Sequence, residues 1–213
     1  MRFTKALILS AILCSLSLSA FAEVQTKILN EKCAAGTFQV DVPKVVLQKS
    51  QARQNSMLAI NNIVEKFRYQ AESIGNTEVK YHVTAENDSY VSLLLESVAV
   101  MPDSAHPDKA AHAIVIDKTT GEEMPLSHFV TIPNAKYLRD QAEQGYLKVL
   151  YIDGQTELPV DIAKDIKVVP TEYILDRQGN VYLLATDMTI YATGTPLLFM
   201  SQKDFPDAYV IKG

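Results

Sequence analysis

Apolar and polar positions alternate strictly over "TFQVDV", Thr37 to Val42, which predicts a strand with Phe38, Val40 and Val42 on one face. Pro43 suits a strand end or edge, where a missing N–H interrupts no ladder. The period then lengthens. In "SQARQNSMLAINNIVEKFRYQAESIGN", Met57, Ile60, Val64, Phe67, Ala71 and Ile74 recur at steps of three and four, the apolar stripe of a helix. Ser50 is its expected cap and Gly75-Asn76 its stop. After Asn76 the period returns to two. "VKYHVTA" sets Val79, Tyr81, Val83 and Ala85 on one side, Glu86 to Ser89 make a turn, and "YVSLLLESVAV" returns as a hairpin partner.

Further along, "AAHAIVID" predicts another strand, followed by a turn centred on Gly121. Pro133-Asn134 opens a second helix with Leu138, Ala142, Tyr146 and Val149 on its apolar side, and Pro159 begins a short helix, "PVDIAKDI". "TEYILD" and "NVYLLAT" flank the hairpin turn Arg177 to Asn180, and "TPLLFMS" is a last extended stretch. Strands in runs with helices grouped between them give an α+β fold, a mainly antiparallel sheet packed against two or three helices.

The first 22 residues change the picture of where this domain works. Arg2 and Lys5 precede an apolar run from Ala6, and Ala20-Phe21-Ala22 is a small-x-small site, so residues 1–22 read as an export signal cleaved between Ala22 and Glu23. A retained anchor is the weaker alternative, because the run is short for a bilayer. Residues 23–213 then form a single domain, periplasmic or secreted, with no later membrane span. Losing Arg2 and Lys5 lowers Lys plus Arg from 20 to 18 against 25 acids, so the net charge moves from −5 to −7. An acidic chain is a poor match for nucleic acid or an anionic membrane. Cys33 alone remains after cleavage, an inert free thiol or an intermolecular bridge, in a polar segment that reads as exposed.

Chemistry is sparse. "DSAHPDKAAHAIVIDKTTGEEMPLSHF" carries three of the four histidines, His106, His112 and His128. Their spacing matches no H-x-x-x-H pair or Cys/His cluster, so no metal is expected; His106 reads as fixing a loop and His112 as an ordinary strand residue. There is no G-x-S-x-G elbow and no Gly-rich phosphate loop, Cys33 has no nearby histidine, and Glu122-Glu123 reads as a solvated turn. No catalytic residue and no cofactor are expected.

The order of landmarks resembles the RsiV/PdaC-like extracytoplasmic domains. "FQVDVPKV" and "MLAINNIVEKFRYQAES" look like that family's opening strand, proline and Ile-Asn-containing helix. Asp117, Gly121, Leu126 and Phe129 match its Asp-x-x-x-Gly turn and Leu-x-x-Phe helix start. The closing "TEYILDRQGNVYLLATDMTIYATGTPLLFMS" resembles its last hairpin and Tyr-Ala-x-Gly turn, so the likeness runs from Thr37 to Ser201. Asp103-Ser104 stands where glycines are typical, and the deacetylase domain and the sigma-binding region of family architectures are absent from this sequence.

The resemblance implies a stand-alone, non-catalytic binding module of the bacterial envelope, with a partner such as lysozyme, a basic protein, or a cell-wall glycan such as peptidoglycan. Candidate binding residues are His106 and Pro107, in the loop before the histidine-bearing strand, and Tyr191 in the Tyr-Ala-x-Gly turn. Two other classes stay open: an envelope hydrolase using His106 as base, and a structural or inhibitory protein that pairs through a sheet edge.

Overall fold

Phe38, Val40, Val42 and Val45 are buried along strand β2 (Gly36–Val45), as the alternation predicts. The computed structural model describes residues 24–101, 106–188 and 194–210. The expected signal with its Ala22–Glu23 junction, residues 102–105 of the histidine loop, and Tyr191 lie outside the described residues. Antiparallel to β2, in unbroken register from Val24 opposite Val45 to Cys33 opposite Gly36, runs β1 (Val24–Cys33). The sequence pattern did not predict β1, for a physical reason. It forms the sheet edge, so only Val24, Leu29 and Cys33 pack against the core while Gln25, Lys27, Asn30 and Lys32 meet water. Pro43 lies beyond the stretch, Phe38 to Val40, where β2 pairs with its second neighbour, so its missing N–H breaks no second ladder.

Helix α1 (Ser50–Ile74) crosses from β2 to β3 (Asn76–Glu86), and this crossover makes β2 and β3 the parallel pair of an otherwise antiparallel sheet. Its buried face is Ala52, Ser56, Ile60, Ile63, Val64, Phe67 and Ala71. Two expectations need correction. Met57 is 46% exposed, because the helix turns Ile63 inward instead. Ser50 is the first helical residue rather than the cap; Lys49 holds that position without a side-chain bond. Buried Ser56 is tolerated because its hydroxyl donates to the Arg53 carbonyl at 3.0 Å.

β3 forms the predicted hairpin with β4 (Tyr90–Val100), its turn held by Asn87, whose side-chain oxygen accepts from the Ser89 and Tyr90 N–H groups. A bulge between Val83 and Ala85 breaks the expected face: Val83 turns to solvent and Ala85 stays buried. β5 (Asp108–Asp117) completes the order β1-β2-β3-β4-β5. A second sheet, order β6-β9-β8-β7, comprises β6 (Lys148–Leu150), β7 (Tyr173–Leu175), β8 (Val181–Leu184) and β9 (Leu197–Met200), all antiparallel.

Leu93 and Leu95 of β4 face α1, whereas Leu94, with Ala111 and Ala113, packs on Leu150, Ile174, Leu184 and Leu197 of the second sheet. Burial on both faces is why β4 reads as an apolar run rather than an alternation. α2 (Ala135–Glu143) starts where predicted, with the Asn134 side chain accepting from the Tyr137 N–H at 2.9 Å. Leu138 and Ala142 are buried, but the helix stops before Tyr146, which is 51% exposed, and Val149 belongs to β6. The "PVDIAKDI" segment is a 3-10 helix, Val160–Asp165. No helix among the described residues is long and apolar enough to cross a membrane.

Candidate functional site

The turn leaving β5 is built rigidly. Asp117 accepts from the Thr119 and Thr120 N–H groups, and the Gly121 N–H donates back to the Asp117 carbonyl at 2.7 Å. Gly121 has φ +73°, and a Cβ there would lie 1.8 Å from the Ala52 carbonyl oxygen, so this position requires glycine and presses the turn onto the start of α1. Glu123 then bridges back to Ile116, and the Met124 N–H donates to the Val115 carbonyl. Pro125 follows, then one 3-10 turn, Leu126–His128, after which Val130 bridges to Tyr209 and the Thr131 N–H reaches the Ala208 carbonyl. The chain from Glu123 to Ile132 is thereby pinned at both ends.

Opposite it, Val169, Pro170 and Thr171 run toward β7, and between the two walls lies an open groove of about 570 Å³. Pro125, Leu126, Val130, Ile132, Val169 and Pro170 make it mainly apolar, while Glu123, Ser127, Thr131 and Thr171 supply its polar groups. Its size and its few polar groups among apolar walls are those of ligand sites. Tyr173 braces the wall from behind, its hydroxyl donating to the Met124 carbonyl at 2.8 Å; burial, then the Glu123 charge, push that hydroxyl well above the ordinary tyrosine range. On the far side of the 3-10 turn is a second, smaller cleft of about 300 Å³ near Tyr90, His128, Phe129 and Tyr209.

Two carboxylates meet this region in opposite states. Glu172, next to the groove residue Thr171, accepts from His112 Nδ1 at 2.9 Å through both oxygens, from the Ala113 N–H at 2.9 Å, and from Lys66 Nζ at 3.0 Å. Only 13% of the His112 side chain and 16% of that of Glu172 are exposed. Burial works to raise the Glu172 carboxyl, but the His112 bond and charge, with the Ala113 N–H and Lys66, outweigh it and hold the group at about 2. Glu123 has no such support. Glu123 is exposed, but partial desolvation against the groove wall, then the nearby Glu172 charge, raise its carboxyl above the ordinary glutamate value, with Lys66 only partly offsetting them. Among the described residues no side chain bonds to the Glu123 carboxylate.

The sequence-based candidates fall elsewhere. His106 and Pro107 are exposed just before β5 and line neither the groove nor the smaller cleft. Tyr191 is outside the described residues. His112, expected to be an ordinary strand residue, is the partner of Glu172 and lies edge-on to Phe67, ring centroids 5.0 Å apart. Glu123 is exposed, as expected of a solvated turn, and it also lines the open groove. Cys33 is half-buried rather than exposed; burial and then the Glu72 and Glu31 charges push its thiol up, away from a reactive thiolate. Among the described residues no group of three His, Cys, Asp or Glu side chains is placed to hold a metal ion.

No family model matches the chain, and no curated protein matches it. Solved structures do. A DUF3298-family protein from Bacteroides fragilis superposes with a TM-score of 0.57 at 12% identity, over 91% of this chain and 95% of that one. A DUF3298-family protein from Pseudomonas aeruginosa gives a TM-score of 0.55 at 13% identity, over 88% of this chain and 95% of the other. At such identities the likeness concerns architecture alone: the chain has the α+β fold of these DUF3298 structures.

Proposed function

We propose that this chain is an exported, non-catalytic binding module of the bacterial cell envelope, periplasmic or secreted, that recognises a protein such as lysozyme or a cell-wall glycan. The observation that carries this reading is the groove: apolar walls, a pinned backbone and one carboxylate that no side chain among the described residues bonds form a surface suited to holding a ligand. Its backbone is fixed by the Asp117–Gly121 turn and the Val130–Tyr209 bridge, so little ordering is lost on binding. The sequence resemblance to RsiV/PdaC-like domains supports the same reading, as DUF3298 domains also occur in such proteins. The net charge of −7 expected for residues 23–213, 18 Lys and Arg against 25 acids, favours encounter with a basic partner.

The test is retention. Residues 23–213 on a resin should enrich lysozyme, or hold soluble peptidoglycan, at low salt, and a protein ligand should be released as salt rises. A resin that retains neither above a blank control rules the reading out. A second reading, pairing of a partner strand with the sheet edge, has its own support in the ten-residue outer edge of β1. It predicts a complex that survives a filled groove.

A further inference from the structure

We infer that the groove takes a lysine or arginine side chain of a protein partner, with the cationic head at Glu123 and the stem and flanking apolar residues along Leu126, Val130 and Ile132. This rests on the binding-module reading and narrows it from any envelope ligand to a basic segment of a protein.

Charge distribution is the first argument. The local cations are committed: Lys66 bonds Glu172 at 3.0 Å, and His112 is bound to both oxygens of that same carboxylate. Glu123 therefore lines the groove with a like charge behind it and, among the described residues, no side chain bonded to it; desolvation and then the Glu172 charge raise its carboxyl. A ligand cation would relieve both the partial desolvation and the repulsion. A neutral apolar ligand would cover the exposed Glu123 without giving it a partner, and an anion would add a second repulsion.

Shape is the second argument. Lysine and arginine stems are apolar and lie along apolar walls while their heads reach a polar group, and here Glu123 lines the same groove as Pro125, Leu126 and Val130. A volume of about 570 Å³ is enough for such a side chain with its neighbours. A glycan fits less well, since sugar rings stack on aromatic faces and, among the described residues, no tyrosine, phenylalanine or tryptophan lines the groove.

Titration of blocked leucine–lysine–leucine, leucine–glutamine–leucine and leucine–glutamate–leucine tripeptides into methyl-labelled protein, followed by NMR, tests this. The lysine peptide should shift the Leu126, Val130, Ile132 and Val169 methyls saturably and bind about tenfold tighter than the glutamine peptide. Glu123→Gln should abolish that preference while leaving the rest of the spectrum in place. Equal binding of all three peptides, or an unchanged preference in Glu123→Gln, overturns the inference. So does a muropeptide that shifts the groove methyls when the lysine peptide does not. Failure of the wider reading looks different: the lysine peptide binds, yet the protein retains neither lysozyme nor wall material.

Discussion

Glu172 joins three segments through one carboxylate: the end of the groove wall, β5 through His112 and Ala113, and α1 through Lys66. In Glu172→Gln one amide oxygen must replace two carboxylate oxygens, and an NH2 donor is turned toward the His112 ring or the Ala113 N–H. Glu172→Gln should therefore cost about 2–4 kcal/mol in urea denaturation. Little of that comes from Lys66, which is half exposed. The acid dependence follows from a folded carboxyl at about 2 against an ordinary 4.5. A depressed carboxyl stabilises fully above its unfolded value, and that contribution drains away as pH falls from about 4.5 toward 2. The variant's stability should be flatter over that window; parallel curves would count against the assignment. Glu123 has the opposite sign. The cost of a raised carboxyl builds as pH rises past the ordinary glutamate value and is complete above the folded value, so Glu123→Gln should melt slightly higher at neutral pH, by under about 1 kcal/mol after solvent screening. That gain should vanish at pH below the ordinary glutamate range.

Elements differ in how plainly the sequence announces them. β2, α1 and the β3–β4 hairpin were legible because each buries one periodic face or ends on strong turn residues such as Asn87 and Gly75. β1 was not, since an edge strand needs few apolar positions, and β6 was hidden because Val149 also fits the helical spacing that continues α2. The candidate site was the least legible part. Its two walls come from residues 123–132 and 169–171, and what sets Glu123 apart is desolvation against those walls, then the charge of Glu172, neither of which a local pattern announces. The useful local signal was the turn: Gly121 in a resembling Asp-x-x-x-Gly motif does hold the wall against α1. Gly121→Ala should cost more than about 2 kcal/mol, because both its positive φ and the Ala52 carbonyl exclude a methyl group. A variant as stable as the wild type by thermal melting would show that this contact is not needed.

Across the whole molecule, β4 and β5 are shared property. One of their faces forms the core with α1 and the other receives the second sheet through Leu94, Ala111 and Ala113. Neither sheet keeps its core without the other's strands, so far-UV signal and tyrosine fluorescence should unfold in one coincident transition. Leu94→Ala should shift both probes together by about 2–4 kcal/mol, whereas two separated transitions would mean that the sheets fold independently.

The same wall that the two sheets support is the surface on which the functional account stands. Ser127 is exposed on that wall and faces the groove, so Ser127→Trp should fill the groove without disturbing the fold. The decisive measurement is calorimetric titration of lysozyme and of soluble peptidoglycan into residues 23–213, wild type and Ser127→Trp, at two salt concentrations. The account predicts saturable binding of a basic protein that weakens with salt and falls at least about tenfold in Ser127→Trp. Binding that is untouched by the filled groove, or no binding of either ligand, would contradict it.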